Sequence, residues 1–451
     1  MDPIELRKVF EERAIKKVKL GGFDIDGVLR GKYVSLDKFW STVEKGFGFC
    51  DVIFGWDIGD VLYDNARVTG WHSGYPDAHA KIDTSTFRVL PYEPDTACFL
   101  ADFFLPGGKH PHPACPRNLL KRVVARAEAS GFTPKIGAEL EFWLFQESPQ
   151  SLHDKRFQGL EPITPGMFGY SWVREGQLSE LVHDVLDTMH AFDISIEGMH
   201  TETGPGVWEV AITYDDAVRA ADQAALFKTT MKQLVARHGL AVTFMAKWNA
   251  KLPGSSGHLH QSLFDSTGEQ NLFYDPKADD SLSPLARHYL GGQLALAPEL
   301  TALYSPFINT YRRYVPGVWA PLTPSWGVEN RTCALRVIPN GQGTRIENRQ
   351  TAADINPYTA IATCLASGLW GIDRAVTPPP PVHGDATAIA GATEIPRTLE
   401  HATRALKESE TAREILGEEF VDHYVRTREW EVMQARTAVT DWELARYFEA
   451  V

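Results

Sequence analysis

Acidic and histidine side chains recur on short patterned stretches through the middle of the chain. Glu139 and Glu141 stand in GAELEFWLF, Glu202 and Glu209 in HTETGPGVWEV, His258 and His260 in GSSGHLHQSL, and Glu347 in RIENR. The Glu-x-Glu and His-x-His pairs have strand spacing, because side chains two apart share one face of a strand. Several carboxylates and an imidazole converging on one site would repel one another unless cations sat between them. An oxygen-rich donor set with nitrogen suits Mg²⁺ or Mn²⁺. Arg313, Arg331, Arg336, Arg345 and Arg349 cluster beside them in sequence, and guanidinium forks bind carboxylate and phosphate. Metals plus arginines read as a site for an anionic substrate and a nucleoside triphosphate. Taken singly, each motif has a plainer reading: a solvated strand face, a structural His-x-His, a turn with two surface acids. Their joint occurrence, in order and with the arginines, favours the site.

Elements must hold these residues in place. KIGAELEFWLF reads as a strand whose acids alternate with Leu140 and Phe142 and so face away from them. ISIEGMHTE and WEVAITY read as further strands, and LAVTFMAKW as one more before the histidine segment. Helices are expected over 3–16, from Pro116 to near Gly131, over 176–191, and from about Asp215 to His238. NPYTAIATCLASGLWGID reads as a mostly buried apolar helix. VTPPPPVHGDAT reads as an extended loop and the C-terminal stretch as a helical tail. Residues 50–105 read as short strands among many turn formers, with a turn at Gly74–Asp77. LPGGKHPHPACPRN, rich in Pro and Gly, marks a domain boundary, giving 1–107 and 108–451. Strands and helices mix without strict alternation, which indicates an α+β fold.

The chain has 451 residues, enough for one large and one small domain, and its net charge of −13 argues against a general nucleic-acid binder. No apolar run is long enough to cross a membrane. The amphipathic, charged start lacks the apolar core of a signal peptide. Five cysteines without Cys-x-x-Cys fit a reducing, cytoplasmic setting. FDIDGVL (Phe23–Leu29) and GDVLYD (Gly59–Asp64) resemble the motifs of haloacid-dehalogenase-type phosphatases. The interval between them is too short for that fold, so a strand and a glycine turn is the better reading.

With these residues in view, the chain resembles the glutamine synthetase superfamily, closest to the type I branch and its γ-glutamyl-amine ligase relatives. RIENRQTAADINPYTA matches the Arg-x-Glu-x-Arg…Asn-Pro-Tyr signature at Asn356, Pro357 and Tyr358. The resemblance implies a small N-terminal β-grasp-like domain and a catalytic domain on a curved antiparallel sheet with surrounding helices. It implies that Glu141, Glu202 and Glu209 hold one metal and Glu139, His258 and Glu347 a second, with Mg²⁺ or Mn²⁺ as the ions. Tyr214, His260, Ser262, Arg336 and Arg345 fall at ATP-side positions. Arg313 in YRRYVPG matches the arginine that holds the glutamate carboxylate. Arg331 and Arg349 match positions near the transferred phosphate and the substrate. It further implies a homo-oligomer, a dodecamer of two hexameric rings with sites shared between subunits.

Four departures bear on the substrates. Ammonia-using members carry an acid in a Pro-Gly-x-Glu flap; here the stretch is VPGVWAP and Trp319 stands in the acid's place. An indole cannot act as a base, but it can wall a pocket or stack on a cationic amine. The Asp-Gly-Ser-Ser-type loop is missing around Asp51, which leaves Asp51, Asp57 and Asp60 without assigned roles. Val207 and Pro253 replace the usual Gln and Asn. The regulatory tyrosine of the type I branch has no counterpart in GATEIPRTLE. The expected activity is ATP-dependent joining of glutamate's γ-carboxyl to an organic amine through a γ-glutamyl phosphate. Ordinary glutamine synthesis from ammonia is the alternative, and a silent assembly protein is a third reading that the six intact metal-type residues oppose.

Overall fold

The structure, a computed structural model, describes residues 1–278, 280–388 and 393–451. Gly391 and Ala392, which open the GATEIPRTLE stretch, lie outside the described residues.

Two sheets organise the chain. The first has β1 (Lys17–Phe23), β2 (Leu29–Val34), β3 (Phe47–Cys50), β4 (Asp77–Leu90) and β5 (Glu93–Phe104), in the order β2-β1-β5-β4-β3. β1 and β5 run parallel and the other neighbours antiparallel. The short strands expected over 50–105 are in fact mainly one long hairpin, β4–β5. Its register slips between Asp83 and Arg88, and such a bulge breaks the two-residue alternation that sequence reading depends on. Leu6, Phe10, Phe39, Phe99 and Phe103 pack a core behind this sheet.

The second sheet has β6 (Thr133–Phe145), β7 (Ile196–Thr201), β8 (Val207–Asp216), β9 (Ala241–Thr243), β10 (Leu259–Phe264), β11 (Trp326–Val328), β12 (Leu335–Ile338) and β13 (Arg345–Asn348). The order is β11-β12-β13-β10-β6-β8-β7, with β9 on the end of β6. All neighbours are antiparallel except β11 and β12. The strand expected in LAVTFMAKW is cut to three residues. β10 pairs with β6 along Thr133–Ala138, which leaves β9 only Trp143–Phe145. The whole is an α+β fold, a curled sheet with helices around it.

Helices cover one face of this sheet, with Leu140, Phe142, Phe227 and Leu365 in a common core. The helix Pro357–Asp373 is buried along almost its whole length. It meets the helix Pro284–Tyr304 at Gly371 and Gly292, where an added Cβ on Gly371 would lie 2.2 Å from the His288 carbonyl oxygen. Only glycine permits that approach. The first helix ends at Glu12, short of the expected residue 16, because Ala14 takes a positive φ of 51°. No helix among the described residues is long and apolar enough to cross a membrane.

The Phe23–Leu29 stretch is a turn that joins elements. Asp24 accepts the N–H groups of Asp26 and Val28 and pairs with Arg30 at 2.8 Å, and Asp26 pairs with Arg428 at 2.5 Å. Asn356 clamps the same turn by donating to the Asp24 and Ile25 carbonyls. The acids left without roles in the sequence have structural ones here. Asp51 accepts from Thr69, Asp60 pairs with Arg30, and Asp57 accepts Gly59, Val61 and the Trp430 indole N–H.

Candidate active site

The face of the second sheet away from Leu140 and Phe142 gathers the acids because strand register lines them up across strands. Glu141 on β6 stands opposite Glu209 on β8, and Glu209 opposite His200 on β7. On the other side, His260 on β10 stands opposite Glu347 on β13, and Glu347 opposite Arg336 on β12. The Glu139 N–H donates to the His258 carbonyl at 2.9 Å, which sets those two side chains beside each other. Leu140 and Phe142 point into the core between the acids.

Ligand-type atoms of Glu139, Glu209 and His258 lie within 4.8 Å of one another, as do those of Glu139, His260 and Glu347, and of His200, Glu202 and Glu209. His258 Nδ1 is 3.4 Å from Glu139 and 3.3 Å from Glu347. Burial, then the Arg349 charge, pushes the His258 imidazole down, so its ring is neutral and keeps a lone pair. His260 differs. Arg345 Nε donates to its Nδ1 at 3.2 Å, and a guanidinium can only donate. The neutral ring then carries its proton on Nε2, which faces Glu139 at 3.0 Å. Nε2 is buried and makes no hydrogen bond among the described residues, so its approach to Glu139 is a charge contact without hydrogen-bond geometry.

Glu141 is held by Ser256, whose hydroxyl reaches it at 2.5 Å and whose N–H reaches it at 2.8 Å. The neighbouring Ser255 is fixed by the Trp143 indole at 2.6 Å. Each carboxylate oxygen of Glu141 keeps a further lone pair. Burial pushes Glu141 up, and Glu202 adds to it. Glu209 is pushed up to about 9, by burial first and then by Glu141, Glu139, Glu202 and Glu347. Burial opposes ionisation at Glu202 and Glu347 as well, but His200 holds the first down and His258 and Arg349 the second. A hard divalent cation fits this donor set, since it alone would let all these carboxylates ionise together.

The arginines fall into two kinds. Arg349 donates to Glu347 at 2.5 Å and to the Arg331 carbonyl at 3.0 Å, and Arg336 bridges Glu347 and Glu329. Arg313 is 4% exposed and donates to the Gln350 carbonyl at 3.0 Å. It has no carboxylate within ion-pair distance among the described residues. A buried cation of this kind is costly without an anion. Tyr214, Ser262, Arg331 and Trp319 make no side-chain hydrogen bond with the cluster among the described residues, and Trp319 is 68% exposed on its loop.

Two residues of the cluster escaped sequence reading. His200 Nε2 lies 3.1 Å from Glu202 and 3.5 Å from Glu209. Its two-residue spacing from Glu202 was a visible signal. Tyr170 stacks on His200 with ring centres 4.3 Å apart and planes 8° from parallel. It comes from a distant loop, and no local pattern marks it.

The catalytic domain of glutamine synthetase matches residues 113–447. The chain is 45% identical to type-1 glutamine synthetase 2 of Dictyostelium discoideum, over 96% of this chain and 84% of that one. It is 38% identical to glutamate–isopropylamine ligase of a Pseudomonas species, over 99% and 98%. The solved GmaS/ADP complex in its first conformation superposes with a TM-score of 0.86 at 28% identity, over 98% of this chain and 99% of that one. The chain therefore belongs to the glutamine synthetase family and is one of its ATP-dependent carbon–nitrogen ligases.

Proposed function

We propose that this enzyme joins the γ-carboxyl of glutamate to an organic amine through a γ-glutamyl phosphate. The observation that carries this reading is the flap. Between Val315 and Ala320 it offers an exposed indole, Trp319, and no acid, beside a cluster that keeps its acids and arginines. The relative named for isopropylamine supports it. The relative named as a glutamine synthetase favours the second reading, in which ammonia is the nitrogen donor.

In this proposal Glu141, Glu202 and Glu209 hold one divalent cation, and Glu139, His258 and Glu347 another. Bound there, Mg²⁺ or Mn²⁺ would offset the charge of the ATP phosphates. Arg313 receives the substrate acid's α-carboxylate. Arg331, Arg336, Arg345 and Arg349 surround the phosphate passed from ATP to the γ-carboxylate, with Tyr214, His260 and Ser262 on the nucleotide side. Neutralising that charge is what lets a carboxylate attack a phosphate. The neutral amine nitrogen then attacks the acyl carbon, the bond to phosphate breaks, the nitrogen's surplus proton passes to the leaving phosphate or to water, and the amide, ADP and phosphate are released. Trp319 walls the amine side and excludes water that would hydrolyse the acyl phosphate.

We further propose residues 1–107 and 108–451 as the two domains, a cytoplasmic location, and a dodecamer of two rings. A core behind each sheet supports the division, with Phe23, Ile25 and Leu100 reaching into the larger core and Ala114 and Cys115 into the smaller. The test is ADP release from glutamate with ammonium and with a panel of mono-, di- and aromatic amines, in wild type, Trp319→Glu and Trp319→Ala. A cation–π contact is worth about 0.5–2 kcal/mol, roughly two- to thirtyfold in amine affinity. Both variants should lower the amine-to-ammonia ratio of kcat/KM. A wild type that prefers ammonia, with a ratio neither variant moves, would make ordinary glutamine synthesis the answer.

A further inference from the structure

The segment that follows Arg349 makes three contacts beneath the site. The Gln350 carbonyl accepts from Arg313 Nη1 at 3.0 Å, Asp354 Oδ2 accepts from Thr310 Oγ1 at 2.7 Å, and the Ile355 carbonyl accepts from Lys228 Nζ at 2.9 Å. Thr310 and Arg313 share the single short 3₁₀ turn Ile308–Arg313. One segment therefore ties that turn at two points. Thr310 is fully buried, and its hydroxyl also accepts the Phe307 N–H at 3.2 Å, closing the start of the turn. Asn309 adds a third tie, exchanging two 2.8 Å hydrogen bonds with the Lys247 backbone. Behind Arg313 there is no slack: a Cβ on Gly254 would lie 2.9 Å from the Arg313 Cβ.

Asp354 is an expensive way to fasten a turn. Its Oδ1 is buried with no hydrogen-bonding partner among the described residues. Burial pushes its carboxyl up, and Thr310, Lys228 and Arg313 pull it back. An apolar residue of similar volume would serve packing alone at less cost. A 3₁₀ turn has poor hydrogen-bond geometry and is easily deformed. The guanidinium at its end keeps one direction only if the turn itself is pinned.

We propose that Thr310 and Asp354 are positioning residues for Arg313, locking its turn so that the remaining guanidinium N–H groups meet the substrate acid's carboxylate in a fixed orientation. This rests on the reading of Arg313 as the acid-binding residue.

The test uses the full-length enzyme with ATP, Mg²⁺, glutamate and hydroxylamine. Hydroxylamine traps an acyl phosphate as the hydroxamate whatever the natural amine is. Thr310→Val removes the hydroxyl at constant shape, Thr310→Ser restores it, and Asp354→Ala removes the acceptor. Thr310→Val and Asp354→Ala should each raise the glutamate KM about tenfold or more, with the ATP KM within about twofold. Thr310→Ser should stay near wild type, and the double variant should be no worse than the poorer single one. Thr310→Ala and Asp354→Ala supply the same comparison if the valine variant does not fold. Equal losses for glutamate and ATP would mean a structural role only and would overturn the inference. An unchanged glutamate KM in folded Thr310→Val, while Arg313→Lys raises it, would also overturn it. If Arg313→Lys leaves that KM unchanged too, the assignment of Arg313 itself fails, and this inference with it.

Discussion

Stripping the divalent cations from this enzyme at neutral pH should leave a proton on Glu209. Its carboxyl is raised from 4.5 to about 9, by burial first and then by four neighbouring carboxylates. Between those values the folded, cation-free chain holds a proton that the unfolded chain has released. The stability linked to this group is thus fully present below about 4.5 and is lost as pH rises through about 9. Inside the window the slope is about 1.4 kcal/mol per pH unit. Glu141, raised as well, acts in the same direction. A cation takes the proton's place. Its binding at pH 7 should therefore release about one proton, and its apparent affinity should strengthen about tenfold per pH unit toward 9. Calorimetric titration of Mn²⁺ into chelator-treated protein, in two buffers of different ionisation enthalpy at pH 6, 7 and 8, counts the protons directly. Thermal unfolding of the same chelated protein should show Glu209 contributing a fall in Tm over that range, against the opposite slope from the buried neutral His112, His258 and His423, which take up protons only on unfolding. Glu209→Gln should flatten the first dependence and remove that contribution from the second. No proton release from wild type, or an unchanged pH slope in Glu209→Gln, would refute the account of this cluster.

Three further outcomes are expected. His258→Ala should remove ADP formation while near-wild-type thermal unfolding is kept, because it deletes a neutral nitrogen donor lying between Glu139 and Glu347; near-normal turnover in a folded variant would sink the metal assignment. Gly371→Ala should destabilise the chain by about 1–3 kcal/mol in denaturant unfolding, since the new Cβ would meet the backbone of the facing helix at 2.2 Å. Sedimentation should find a ring-sized oligomer that carries the activity. The exposed Trp442 and Phe448 of the C-terminal tail offer apolar surface for such contacts, and an active monomer would refute shared sites.

Much of the site is legible in the chain itself, because strand spacing is a local property. Glu-x-Glu, His-x-His and the Arg-x-Glu-x-Arg run each place side chains on one face whatever the rest of the protein does. The family signature adds their order, and the apolar helix Pro357–Asp373 is readable from its composition alone. What tertiary structure decided is register and proximity. Glu141 faces Glu209, and Glu209 faces His200, only because β6, β8 and β7 pair as they do, and cross-strand pairing has no local sequence code. The same holds for Ser256 on Glu141, for Tyr170 on His200, and for Arg345 choosing the His260 tautomer. The long β4–β5 hairpin was hidden by its bulge, and β9 was shortened by competition for one strand edge. Asp51, Asp57 and Asp60 are equivalent as residue types. Their partners, Thr69, Trp430 and Arg30, come from other parts of the chain. A residue's type and spacing state which chemistry it can do, and the fold decides which charges stand close enough to make it necessary.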